Sequence, residues 1–184
     1  MIHEQIVPAP LWKDYVKSAF PLAFLSLPPA LESKDAWRFL IAIALQEGRF
    51  DVRMQYGGGP ARGWFQFERI GVAEVALNRH SKRLLQDSLS GLGLAPLAEA
   101  LNGPVAVRND AIDTLYQGLA FSESVAVVVA RLALWRLPKA LPGESDVEGA
   151  WVQYAVDIWR PGKPHRETWN SCWEYACKLV DEIF

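Results

Sequence analysis

Apolar and polar positions along the chain recur mostly at helical spacing. Residues 10–26 form a first helical stretch that stops at "LPPA". Ser33 is placed to cap a helix running from about Lys34 to Glu47. Within it, "AWRFLIAIAL" (Ala36–Leu45) contains one charge, Arg38. A helix apolar nearly all round belongs at the centre of a core. Residues 51–63 then read as a link whose end, "GGGPARG", is built to turn, and "WFQF" reads as a short extended piece. Further helical patterns cover 69–88, 94–101, 104–118, 121–137, 145–159 and 166–182. Pro138, Pro142 and Gly143 interrupt this series, and "RPGKPH" (Arg160–His165) interrupts it again. The pattern predicts a mainly α fold, with residues 1–184 in a single domain around one central buried helix.

Composition narrows the function classes. Hydrophobic residues make up 51% of the chain and charged residues 22%, enough to build a core and too few charges for wholesale disorder. A net charge of −2 and the lack of a basic helix argue against a nucleic-acid partner. No apolar run is long enough to span a bilayer, so no membrane insertion is expected. The N-terminal "MIHEQIVPAPLWKDYVK" lacks a basic region followed by an apolar run, so the expectation is synthesis in the cytoplasm without a secretory signal. Cys172 and Cys177, five residues apart on one helix, point about 140° away from each other and are expected as free thiols. His3, His80 and His165 show no metal-ligand spacing, so no metal and no cofactor is expected. Eight tryptophans are many for this length. Most belong in the core, but flat aromatic faces also serve carbohydrate clefts.

Among candidate chemical groups, Glu47 stands out. It ends the most apolar helix, on the face of Ala44 and Leu40. A helix C-terminus disfavours negative charge, and so does partial burial. Both raise its proton affinity, the property a general acid needs near neutral pH. The bland alternative is a surface Glu in a frayed last turn. Gly58 to Gly63 has the glycine spacing of a phosphate loop, but Trp64 and Phe65 stand where Lys and Ser or Thr are required, so that reading is rejected. Asp51 and Asp157 read as solvated or capping residues. No G-x-S-x-G and no Cys–His dyad is present. Arg160, Lys163 and Arg166 beside Trp159 form a basic turn that could meet an anionic or sugar ligand, the solvated reading being favoured.

The stretch from Ile43 to Glu68, "IALQEGRFDVRMQYGGGPARGWFQFE", resembles the lysozyme-like superfamily, in particular the soluble lytic transglycosylase type. That family's helix ending in Gln-Glu-Ser, with a phenylalanine in the turn, is matched by "ALQEGRFD", putting Glu47 at the catalytic acid. Its Gly-Leu-Met-Gln signature is matched by Gly63, Trp64, Phe65 and Gln66. Its later Tyr-Asn-Ala-Gly stretch and following Trp are matched loosely by "WVQYAVDIWRPGKPHRETW", with Tyr154 at the tyrosine. The glycine-rich loop and "WRPGKPH" are most similar in style to murein-degrading enzymes of phages and prophages. The motifs span residues 34–170 as an ordered set.

The resemblance implies a lysozyme-like fold with a substrate cleft, and cleavage of the β-1,4 bond between N-acetylmuramic acid and N-acetylglucosamine in peptidoglycan glycan strands. Glu47 would protonate the glycosidic oxygen. Gln66 and Tyr154 would hold the sugar, Phe65 and Phe67 would wall the cleft, and Gly63 and Trp159 would complete the substrate-binding set. Three positions depart from the family: Gly48 replaces the serine, Glu68 replaces an apolar residue, and Ala155, Val156 and Asp157 replace Asn-Ala-Gly. Glu68 bears on the reaction. A transglycosylase needs no second carboxylate, because the muramic acid hydroxyl attacks and leaves a 1,6-anhydro end. An inverting muramidase needs a base about 6.5–9.5 Å from the acid. If Glu68 faces the cleft, it is a candidate second catalytic carboxylate. Otherwise it turns outward to pair with Arg69 or Arg62. The competing reading is a non-catalytic glycan-binding or virion structural protein on the same fold, with other virion proteins as partners. An enzyme of this kind would act at the cell wall or within a virion.

Overall fold

Two helices in the computed structural model, which describes residues 6–184, are buried on every side. His3 and the start of the segment read for a leader lie outside the described residues. The first buried helix, α2 (Lys34–Gly48), follows α1 (Trp12–Ser26) and begins where Ser33 Oγ accepts a hydrogen bond from the Ala36 amide at 3.1 Å. Every residue from Ala36 to Leu45 is buried, Arg38 included. Its side chain survives there because Asp35 and Glu144 reach it at 2.6 and 3.2 Å.

The chain continues through α3 (Arg69–Leu77), α4 (Lys82–Gly91), α5 (Ala95–Ala100) and α6 (Val105–Gly118) to the second buried helix, α7 (Glu123–Trp135). All of Val125–Leu134 is buried. α8 (Val147–Val152) runs directly into a π-helical turn, Gln153–Ile158, and α9 (Arg166–Ile183) closes the fold. α9 lies along α2, where Phe39 meets Trp169 and Trp173 edge-on at 6.4 and 6.2 Å. α1 packs on α7, and α3 packs on α6. The result is mainly helical with one continuous core.

Three expected elements differ. The helix expected over 69–88 breaks after Leu77, because local side-chain bonds capture the backbone. Asn78 Oδ1 accepts from the His80 amide at 2.8 Å, and Ser81 Oγ donates to the Val75 carbonyl at 2.6 Å. The helix expected over 145–159 turns π-helical for its last part. "WFQF" is a tight turn flanked by isolated bridges from Arg62 to Met54 and to Phe67, and no strand occurs among the described residues. Both cysteines are free. Cys172 is buried, donates to Gln46 Oε1 at 3.2 Å, and burial pushes its thiol up to about 12. Among the described residues no single helix is long and apolar enough to cross a membrane, and α6 and α7 meet at 113°.

Candidate functional site

The end of α2 is fixed from both sides. Gln46 donates from Nε2 to the His165 carbonyl at 2.9 Å and accepts at Oε1 from Thr168 Oγ1 at 3.0 Å, pinning the last turn to α9. Beyond Gly48 the chain leaves the helix through Arg49 (φ 54°) and Phe50 (φ 62°). The phenylalanine of that turn is core: it is buried and meets Trp64 edge-on at 4.9 Å. Gly48 is also buried, and a Cβ there would come within 3.2 Å of Val52 Cβ. A residue larger than glycine at this position would therefore press on a close-packed valine.

Glu47 opens from this end onto a cleft of about 950 Å³. The side chain is only partly buried, yet loss of water around it raises its pKa from 4.5 to about 7. One interaction opposes the rise: Oε1 accepts a hydrogen bond from the Tyr154 hydroxyl at 2.6 Å. Tyr154 is 2% exposed and lies flat on Trp169, 4.9 Å between rings at an interplanar angle of 5°. Burial and the Glu47 carboxylate hold its hydroxyl well above the usual phenol range, so it remains a donor.

The π-helical turn sets the next residue of the wall. The Trp159 amide donates to the Tyr154 carbonyl, five residues back, at 2.9 Å, and the two rings lie 6.4 Å apart. Trp159 lines the cleft, donates from Nε1 to the Phe65 carbonyl at 3.0 Å, and packs 5.4 Å from Phe67. π turns inside helices are frequent at functional sites.

Gln66, Phe67 and Glu68 line the cleft. Gln66 has a positive φ of 46°, and its Nε2 is held by the Gly63 and Val52 carbonyls at 2.8 and 3.3 Å. Glu68 is exposed, and neither expected cation meets it. Arg69 pairs with Asp113, while Arg62 binds Gln117 and the Gly59 and Ala61 carbonyls. The outward pairing is thus corrected in favour of a cleft position.

Three other expectations are corrected. Gly63, Phe65 and Tyr154 lie behind the cleft wall, all buried, and do not line it; Tyr154 meets Glu47 in place of a sugar. Gly63 has φ +71°, and a Cβ would sit 2.6 Å from the Leu119 carbonyl oxygen, so glycine is needed there to let two backbones approach. Phe65 is fully buried core and serves Trp159 through its carbonyl.

The cleft also holds residues that the sequence reading passed over. Tyr56, beside the glycine run, lines it while 80% exposed. An aromatic next to flexible glycines was the available signal. Arg136 and Glu74 line it as an ion pair at 2.6 Å. Asp157, read as a solvated or capping residue, also lines it and is tied to Lys139 at 2.6 Å. Asp51 is exposed and does not line it. Of the basic turn, Arg160 lines the cleft, whereas Arg166 is bound by Glu148 and Asn170 and lies over the Trp151 ring. Among the described residues, the four non-glycine residues with positive φ are Arg49, Phe50, Gln66 and Arg160. All four are in the segments that frame Glu47, a concentration typical of functional sites.

Among the described residues no three His, Cys, Asp or Glu side chains are grouped to hold a metal ion. The arrangement can keep a proton on Glu47 near neutral pH, in a cleft with an aromatic wall and an exposed tyrosine at its rim. Comparison with protein-family models, curated proteins and solved structures returns no match for this chain.

Proposed function

We propose that this protein cleaves the β-1,4 glycosidic bond between N-acetylmuramic acid and N-acetylglucosamine in peptidoglycan, on a lysozyme-like fold, with Glu47 as the general acid. One observation carries the reading: a carboxyl group at the end of a buried helix, opening on a cleft, keeps its proton to about pH 7 while a tyrosine hydroxyl fixes its orientation at 2.6 Å. A glycosidic oxygen is a poor leaving group until protonated, so an acid protonated at working pH is the central requirement. After transfer, the Tyr154 hydrogen bond would stabilise the resulting carboxylate. Trp159, Phe67 and the exposed Tyr56 ring offer apolar faces for sugar rings, and Gln66 offers an amide.

Glu68 favours hydrolysis within this reading. It lines the same cleft and is free of Arg62 and Arg69, so it is available to activate water. The setting would be a phage or prophage enzyme acting on the wall. Mass spectrometry of digested murein sacculi is the test. Saccharide products with reducing muramic acid ends are expected, and anhydro ends on every product would remove Glu68 from the mechanism. If wild-type protein sediments with sacculi yet releases no product, a glycan-binding or virion structural role replaces the enzyme.

A further inference from the structure

Glu47 and its neighbour Gln46 are joined by a closed circuit of contacts that leaves α2 and returns to it. Glu47 Oε1 accepts from the Tyr154 hydroxyl at 2.6 Å. The Tyr154 ring lies flat on Trp169. Trp169 follows Thr168 in α9, and Thr168 Oγ1 donates to Gln46 Oε1 at 3.0 Å.

Gln46 binds α9 along one stripe. Its Nε2 donates to the His165 carbonyl at 2.9 Å, and its Oε1 also accepts from Cys172 Sγ at 3.2 Å. His165, Thr168 and Cys172 follow one another at helical spacing, so they share a face at the start of α9. Donating at one atom and accepting at the other is a pairing that an amide makes and a carboxylate does not. Trp169 itself moves with the tyrosine. Its Nε1 donates to the Val147 carbonyl of α8 at 3.2 Å, and α8 runs directly into the turn that carries Tyr154. How closely this unit approaches Glu47 is therefore set where α9 docks on α2. There the edge-on contacts of Phe39 are apolar and tolerate sliding, whereas the bonds of Gln46 are directional.

We propose that Gln46 is a positioning residue for Glu47: by fixing α9 on α2, it holds Trp169 and the Tyr154 ring where the hydroxyl reaches the Glu47 carboxyl. For its bearing on catalysis the inference rests on Glu47 being the acid. For its bearing on the tyrosine bond it rests on geometry alone. Glu68, Glu74, Asp157, Arg136 and Arg160 share the cleft with Glu47, and Cys172 of α9 binds its neighbour. The Tyr154 hydroxyl is the group whose contact lowers the Glu47 proton affinity, so that bond is the quantity to follow.

An NMR titration of the Glu47 carboxyl, assigned against Glu47→Gln, tests this without any substrate. Gln46→Met keeps the length of the side chain and removes its bonds. The Glu47 midpoint should rise by about half a pH unit, a partial loss of one hydrogen bond to a carboxylate. In a Tyr154→Phe background the same change should move it no further. A midpoint that stays in place in Gln46→Met, with only stability lowered, makes the residue a structural tie and overturns the proposal. A shift that persists without the tyrosine hydroxyl overturns it too. Should Gln46→Met fail to fold, Thr168→Val keeps the shape and removes one of the bonds. It carries the same prediction with a smaller shift, and an unmoved midpoint there is equally fatal. Turnover of murein judges the acid separately. If the wild type releases no product while Gln46→Met moves the midpoint, the positioning role stands and the enzyme reading falls. If murein is cleaved and the Glu47 midpoint is the same in Gln46→Met as in wild type, the reverse holds.

Discussion

Helices α2 and α7 both run apolar on every side, both bury one arginine, and both deliver a charged residue to the cleft at their C-terminal end. The buried arginines are satisfied differently. Arg38 has two carboxylates, whereas Arg131 has the Leu31 carbonyl at 2.8 Å and the Trp135 ring, and burial lowers its pKa to about 10. The ends differ more. Arg136 leaves α7 already paired with Glu74. Glu47 leaves α2 with no cation, only a tyrosine hydroxyl. Two similar scaffolds therefore present one charge that is fixed and one proton that can move. What separates structural from chemical charge here is the partner at the helix end.

The most severe way to break the comparison is Glu47→Gln. The amide can still accept from Tyr154 but has no proton to give, so clearing of murein should fall by at least about a thousandfold. Activity equal to wild type in a zymogram would show the acid to be misassigned. The same variant tests the electrostatics without any substrate. Folded Glu47 keeps its proton to about pH 7, and the unfolded chain releases it near 4.5. Its contribution to stability is therefore complete below pH 4.5 and lost as pH rises through 7, by roughly 3 kcal/mol at most. Urea unfolding of the wild type should show that loss, and Glu47→Gln should show a flatter profile across the same window.

Tyr154→Phe should have a smaller effect. The ring can still stack on Trp169, but the bond that lowers the Glu47 pKa is gone. The alkaline limb of the kcat/KM profile should move to higher pH, with the rate at its optimum down about tenfold. NMR titration of the Glu47 carboxyl should show the same upward shift, and a downward or absent shift would refute the role given to the hydroxyl. Glu74→Gln should do least. The Arg136 pair is half exposed, so stability should change by less than about 1 kcal/mol, and the Glu47 titration should stay in place. A shift as large as that of Tyr154→Phe would erase the contrast between the two helix ends.

Much of this was legible beforehand, and the limits have physical causes. α2 was readable because a cap, an apolar run and a terminal acid agree, and Glu47 followed from it. α7 was readable as a helix, but its full burial depends on the helices packed around it. The break after Leu77 contains neither glycine nor proline; Asn78 and Ser81 make it through side-chain bonds that also suit a helix surface. "WFQF", rich in aromatics, reads as an extended piece, yet Gln66 turns the chain back on Gly63, its amide donating to that carbonyl at 3.0 Å. Gly63 and Phe65 fitted the spacing of a motif but lie behind the wall, because a motif records spacing and not the direction of a side chain. Tyr56 and Arg136 reach the cleft only through tertiary packing, which no local pattern encodes.

The π-helical turn carries one further consequence. In a regular α-helix, residues five apart point about 140° away from each other. Here the bond from Trp159 to Tyr154 brings the two rings within 6.4 Å, so the tryptophan of the wall and the tyrosine that holds Glu47 are neighbours by virtue of chain length and not of residue type. The relation would survive many point changes in Ala155 to Ile158. It would not survive the loss or gain of a single codon there. In an evolving gene this segment is tolerant of misspelling and intolerant of miscounting, and any length variation in the site should fall outside it.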